Sequence, residues 1–123
     1  MILVDSSVWI DHLRARDETL SVLLTRVEVL THPFVVGEIA LGSIRYRDAV
    51  LASLQRLPSA MIATDGDVLR LIDRHRLFGR GIGYIDAHLL AAVRLTGDTL
   101  LWTHDRRLRE VATELGLAAR FTH

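Results

Sequence analysis

Short apolar runs alternate with amphipathic stretches along this chain, and residues that start or stop elements punctuate each run. Ile2–Val4 reads as a short buried strand. Ser6 or Ser7 is placed to cap a helix that carries Val8, Trp9, Ile10 and Leu13. A second helix is predicted from Glu18 to Thr25, then a weak strand over 27–30. Pro33 suits the first turn of a helix reaching Gly42. Another helix spans roughly 46–57 and stops at Pro58, and 61–63 reads as a further short strand. Thr64 or Asp65 starts a helix carrying Val68, Leu69, Leu71, Ile72 and Leu77 to its end near Gly79. A glycine-rich loop leads into a helix from Tyr84 to about Leu95, stopped by Gly97. Leu100–Trp102 is the best second strand, and Asp105 opens a last helix that ends at Gly116. Short strands interleaved with helices predict an α/β sandwich with a mainly parallel sheet. Nothing reads as a repeat, a linker or a low-complexity stretch, so residues 1–123 form a single domain in this reading.

Against that pattern four carboxylates stand alone in apolar surroundings. Asp5 ends Met1-Ile2-Leu3-Val4, and Glu38 is the only charge between Pro33 and Ile44. Asp86 is the only one between Gly81 and Val93, and Asp105 follows Thr99-Leu100-Leu101-Trp102-Thr103 after one histidine. An ionised carboxylate taken out of water is costly unless a hydrogen bond or a counter-charge compensates it. Lysine cannot be that counter-charge, because all 15 basic residues are arginines. A bound cation gathering the four acids is the economical answer. In an open parallel sheet ligands bind beyond the carboxyl ends of the strands, where Asp5 and Asp105 fall and where Thr103 can orient a neighbouring carboxylate. Glu38 has Phe34, Val35 and Leu41 as helical neighbours, and Asp86 shares a helical row with Leu90 and Val93. Each acid alone has a plainer role as a helix cap, a dipole partner or a solvated carboxylate. It is their number that points to a shared site.

Composition narrows the chemistry. The 15 arginines balance 15 acids, which argues against a broad surface that coats nucleic acid but not against a local arginine-lined groove. No cysteine means no disulfide, thiolate nucleophile or cysteine-type zinc site. Without lysine, Gly79-Arg80-Gly81-Ile82-Gly83 is not a phosphate-binding loop of the Walker type, and no strand precedes it as a dinucleotide fingerprint requires. Receiver domains and haloacid-dehalogenase-type phosphatases also place acids after strands, but their active sites use a lysine, which makes both poor candidates. Asp5 interrupts the first apolar run, so the start does not read as a signal peptide, and no segment approaches the length of a membrane span; the sequence places the protein in the cytoplasm. The histidines His12, His32, His75, His88, His104 and His123 show no ligand spacing and read mostly as surface residues. An all-carboxylate set suits hard cations, Mg²⁺ or Mn²⁺.

The segments Val4-Asp5-Ser6-Ser7-Val8-Trp9-Ile10, Glu38-Ile39-Ala40-Leu41-Gly42, Gly83-Tyr84-Ile85-Asp86-Ala87 and Leu101-Trp102-Thr103-His104-Asp105 resemble, in order and spacing, the PIN-domain family. The length and apolar character are similar to its VapC-type toxins, and the resemblance spans essentially the whole chain. It implies a three-layer α/β/α fold and Mg²⁺- or Mn²⁺-dependent ribonuclease activity that leaves 5′-phosphate and 3′-hydroxyl ends. It also implies a homodimer and a small antitoxin partner that blocks the acidic cleft. The family's acidic positions map onto Asp5, Glu38, Asp86 and Asp105, and its hydroxyl before the last acid onto Thr103. Many relatives carry a further acid and then a Phe where this chain has Arg107 and Leu108, which leaves a four-acid site.

The expected chemistry follows. Asp5, Asp86 and Asp105 ligate metal, with Ser6 and Thr103 in support, and Glu38 is a ligand or a base for the attacking water. Four such carboxylates without metal repel, so some should hold protons. Arg80, Arg106 and Arg107 are candidates to hold substrate phosphates at the rim. Two other functions share these features: a PIN-like binding module whose acids hold a partner's arginine without catalysis, and a nuclease directed at DNA.

Overall fold

The computed structural model of the protein describes residues 1–121. Its sheet is built from β1 (Ile2–Val4), β2 (Val29–Leu30) and β3 (Leu100–Trp102), in the order β2-β1-β3 and parallel throughout. Ile2 lies between Val29 and Leu100, and Val4 pairs with Trp102, so β1 and β3 end level with one another. Single parallel bridges widen the sheet on both sides, Thr31 to Ser59 and Leu101 to Ala118.

Seven helices occupy the connections among the described residues: α1 (Ser6–Arg14), α2 (Glu18–Thr25), α3 (Pro33–Leu41), α4 (Arg47–Arg56), α5 (Asp65–His75), α6 (Tyr84–Thr96) and α7 (Arg106–Glu114). The chain steps outward from β1 through β2 to Ser59, then crosses back over β1 to β3 and on to Ala118. Right-handed crossovers running in opposite directions put their helices on opposite faces. The packing agrees, since α1 meets α3 and α3 meets α4, while α5 meets α6 and α6 meets β3. A three-layer α/β/α sandwich results. The reversal occurs at β1, so the crevice beyond β1 and β3 is the switch point of the sheet.

The core is aliphatic: Leu3, Val4, Val8, Val35, Ile39, Leu89, Leu90 and Leu101 are fully or almost fully buried. Several expected boundaries hold because their caps are written locally. Asp17 accepts the Leu20 N–H to start α2, and Thr64 and Asp67 form a reciprocal capping box at α5.

Other boundaries differ. Neither Ser6 nor Ser7 caps α1; Asp5 holds the cap position and both serines lie inside the first turn. The second strand starts at Val29 rather than residue 27, because Val27 takes a left-handed φ of 56° that closes α2. Tyr46 is likewise left-handed and precedes α4 instead of opening it. Helix α5 stops at His75, four residues before Gly79, where Arg76 (φ 52°) turns the chain out of the helix. Residues 61–63 form no strand, and the sheet contact on that side falls at Ser59. Helix α7 ends at Glu114, with Leu115 rather than Gly116 as its cap.

Candidate active site

Asp5 leaves β1 at the switch point and is buried. Its backbone N–H donates to the Trp102 carbonyl at 2.9 Å, which extends the β1–β3 ladder by one step and fixes where its side chain starts. Asp5 Oδ2 accepts two hydroxyls, from Ser7 at 2.8 Å and from Thr103 at 2.7 Å. Backbone groups hold both donors in turn: the His104 N–H donates to Ser7 Oγ at 3.0 Å, and the Asp105 N–H to Thr103 Oγ1 at 3.0 Å. With each hydroxyl proton given to Asp5, Oδ2 is saturated and Oδ1 is left for other work.

The other three acids reach the same edge from three helices. Glu38, half-buried on α3, accepts the Ser6 hydroxyl on Oε1 at 3.3 Å. Asp86, in the first turn of α6, accepts the Gly83 N–H on Oδ2 at 3.0 Å and so satisfies one orphan donor of that helix. Every residue from Ala87 to Val93 behind it is buried, which anchors α6 in the core. Asp105 caps α7 by accepting the Leu108 N–H on Oδ1 at 3.0 Å, and it is exposed.

The charges feel one another. Burial, and next the Asp5 carboxylate, push the Glu38 carboxyl above its ordinary range against the opposing Ser6 hydrogen bond, with Asp86 adding to the rise. The Asp86 carboxyl is also raised, chiefly by burial, with Asp5 and Asp105 contributing and the Gly83 N–H pulling the other way. The fold therefore brings all four sequence-predicted acids into one electrostatic neighbourhood. Ser6 hydrogen-bonds Glu38, and Thr103 hydrogen-bonds Asp5.

Among the described residues, no three His, Asp or Glu side chains meet closely enough to hold a metal ion as they lie. Asp86 and Asp105 each spend one oxygen on a helix N-terminus and Asp5 spends one on two hydroxyls, so each of the three keeps its second oxygen without a hydrogen bond inside the described chain. Crowded hard oxygen donors, two of them with raised pKa values, fit Mg²⁺ or Mn²⁺ in their chemistry.

The three rim arginines are placed differently from one another. Arg80 is held by a forked pair of hydrogen bonds to Glu114, at 2.8 and 2.7 Å. Arg106 is exposed and lies 3.6 Å from Glu110 on its own helix. Arg107 packs over Gly81, so close that a Cβ there would stand 2.6 Å from its Nη1.

Two histidines depart from the surface expectation: His32 is fully buried and His88 almost so. His32 Nδ1 accepts the Phe34 N–H and caps α3, while His88 Nε2 pairs with Asp65 at 3.1 Å. The Tyr84 hydroxyl donates to the same Asp65 oxygen at 2.7 Å, tying the start of α6 to that of α5. His123 lies outside the described residues. Ser7 was legible as a hydroxyl beside a strand-terminal acid, yet its role at Asp5 was missed, and nothing local marks the contact of Asp65 with His88.

The PIN domain family matches residues 2–114. The chain is 52% identical over 118 residues to proteins named Ribonuclease VapC32 from two strains of Mycobacterium tuberculosis, CDC 1551 / Oshkosh and H37Rv. That alignment covers 96% of this chain and 95% of each relative. A parallel sheet with acids at its switch point and a match along almost its whole length agree: this chain belongs to the PIN-domain family and is similar to its VapC-type members.

Proposed function

We propose that this protein is an Mg²⁺- or Mn²⁺-dependent endoribonuclease, acting as the toxin of a toxin–antitoxin pair. The observation that carries the reading is the gathering of Asp5, Glu38, Asp86 and Asp105 at the switch point of the sheet, with the carboxyls of Glu38 and Asp86 raised there. Near-full-length similarity to proteins named as ribonucleases supports the substrate class.

In this reading Asp5, Asp86 and Asp105 would hold the metal, with Ser7 and Thr103 fixing the orientation of Asp5 through Oδ2, and Glu38 would be a further ligand or the base for the attacking water. When bound, the metal acidifies a water and neutralises charge at the phosphoryl oxygens. As the base, Glu38 would take the proton from the attacking water. The water oxygen bonds to phosphorus as the bond from phosphorus to the 3′ oxygen breaks. The proton ends on that 3′ oxygen, leaving 5′-phosphate and 3′-hydroxyl ends. Ser6 orients Glu38 throughout.

A small antitoxin covers the acidic cleft until it is removed, and the toxin works as a homodimer in the cytoplasm. Among the described residues no helix is long and apolar enough to cross a membrane. The test is cleavage of a mixed RNA pool by partner-free protein in Mn²⁺ or Mg²⁺, with EDTA, Asp86→Asn and single-stranded DNA as controls. Cutting of RNA alone, lost in EDTA and in the folded variant, supports the reading. Metal binding without turnover makes the cleft a binding module, and equal cutting of DNA makes the enzyme a general nuclease.

A further inference from the structure

A hollow of about 550 Å³ begins where the acidic site stops. Thr103 and His104 form its near wall, α7 one side through Arg109, Glu110 and Glu114, and the chain after the Ala118 bridge the other through Arg120 and Phe121. Its volume lies in the range of roughly 300–1,000 Å³ usual for small-ligand sites.

Charge identifies the occupant. Both acids in the lining are already answered, Glu114 by the fork from Arg80 and Glu110 by Arg106. Arg109 and Arg120 also line the hollow and have no ion pair or side-chain hydrogen bond among the described residues, so neither charge is already taken up by an acid there. Arg109 lies one turn beyond Asp105 on α7, its N–H donating to the Asp105 carbonyl, so it sits about 6 Å further along the axis on the same face. The ring of Phe121, half-buried against Trp102 at 4.6 Å, gives the hollow an apolar floor.

We infer that this hollow binds the substrate strand next to the cut: Arg109 and Arg120 hold a backbone phosphate of single-stranded RNA, and the adjoining base rests on the Phe121 side. The inference rests on the ribonuclease reading above and adds the path of the strand, which runs over α7 and the last bridge strand and not across Arg80. Arginine's forked donors match phosphate oxygens, and a base on an aromatic face is held with little regard to its identity. The Arg80–Glu114 pair then serves as a wall that keeps Glu114 from repelling the strand.

The test compares wild type, Arg109→Ala, Arg120→Ala, the double variant and Arg80→Ala. Two readouts apply to each: steady-state cleavage of a mixed RNA pool in Mn²⁺, and binding of a labelled single-stranded RNA oligonucleotide in Ca²⁺ across a salt series. Arg109 and Arg120 are exposed and make no ion pair among the described residues, so the folded state is retained and circular dichroism checks it. The expected result is a KM raised about fivefold by each single change with kcat within twofold. Because the two arginines share one phosphate, the slope of log affinity against log salt should fall by about 0.7 in the double variant. Arg80→Ala removes no phosphate contact but uncovers Glu114 beside the strand, so it is expected to weaken binding while the slope stays at the wild-type value. If wild type cuts and binds RNA but the double variant binds with the wild-type slope and KM, the strand runs elsewhere and the inference is wrong. If wild type neither cuts nor binds any RNA in the pool, the ribonuclease reading fails and takes this one with it.

Discussion

Thr103 gives its hydroxyl proton to Asp5 at 2.7 Å across 98 positions of sequence, and in the same place receives the backbone N–H of Asp105 at 3.0 Å. One buried oxygen thus ties the acid that follows β1 to the acid that follows β3. Strand pairing brings the two chain ends together, and the hydroxyl sets the rotamer of Asp5.

Removing that hydroxyl while keeping the shape tests its worth. Thr103→Val leaves the Asp105 N–H without an acceptor and Asp5 Oδ2 with one donor instead of two. Groups that orient metal ligands typically contribute about 10–100-fold to affinity or activity, and that is the expected loss in both Mn²⁺ affinity and RNA cleavage. Thr103→Ser should recover most of it. Equal activity of the valine and serine variants would show that packing of Thr103, not its proton, is what matters.

Under the proposed function, Asp86 sets the stability of the metal-free fold against metal binding. Its pKa is raised, so at neutral pH the folded, metal-free protein is destabilised by its ionised form. Asp86→Asn keeps an oxygen for the Gly83 N–H and removes the charge. The metal-free variant is expected to melt above the wild type at pH 7, with the difference shrinking as pH falls and wild-type Asp86 takes up its proton. Adding Mn²⁺ should raise the wild-type melting temperature and leave the variant almost unmoved, with cleavage down by at least about 100-fold. A variant that melts below wild type without metal would contradict the account of crowded charge.

The acids were legible in sequence for the reason that makes them costly in the fold. Asp5, Glu38 and Asp86 interrupt apolar runs that the core needs, so only a compensated charge could survive there. Helix starts at Asp17, Pro33 and Thr64 were legible because their caps lie within three residues. Sheet edges were not. Ser59 and Ala118 each contribute a single bridge, and one residue has no periodicity to read. The start of β2 beyond Val27 and the end of α5 before Arg76 were hidden because a non-glycine residue adopts the left-handed turn. The burial of His32 and His88 depends on partners from other helices, Phe34 on α3 touching His88 on α6 at 4.9 Å between ring centres. The Arg80–Glu114 fork, 34 positions apart, was equally out of reach.

His32 gives a signature in acid. Burial, reinforced by the neighbouring His88, lowers its pKa from 6.5 to about 4. Above pH 6.5 the ring is neutral folded or unfolded and contributes no pH dependence. Between pH 6.5 and 4 the unfolded chain takes up a proton that the folded chain refuses, so stability falls as pH falls, by roughly 3 kcal/mol at the acid end. His32→Asn keeps an acceptor for the Phe34 N–H and does not titrate. Urea unfolding at pH 7 and pH 4.5 should show a smaller acid loss in the variant. The rise at Glu38 and Asp86 acts in the opposite direction, but both proteins share it and it cancels in the comparison. Parallel pH curves for the two proteins would mean that His32 is protonated in the fold.

Gly81 separates two costs that usually travel together. Its φ of +79° is unfavourable for any residue with a Cβ, at roughly 1–2 kcal/mol. A Cβ there would also stand 2.6 Å from Arg107 Nη1 and 2.8 Å from its Cδ. Those atoms belong to a long, flexible side chain that can swing away, so the backbone cost should dominate. Gly81→Ala is therefore expected to lose about 1–2 kcal/mol in urea unfolding, and to lose nearly the same amount in an Arg107→Ala background. If the loss disappears in that background, the contact and not the backbone sets the requirement for glycine. Arg107 would then be a fixed strut between α7 and the loop that delivers Asp86, and its truncation alone should lower cleavage.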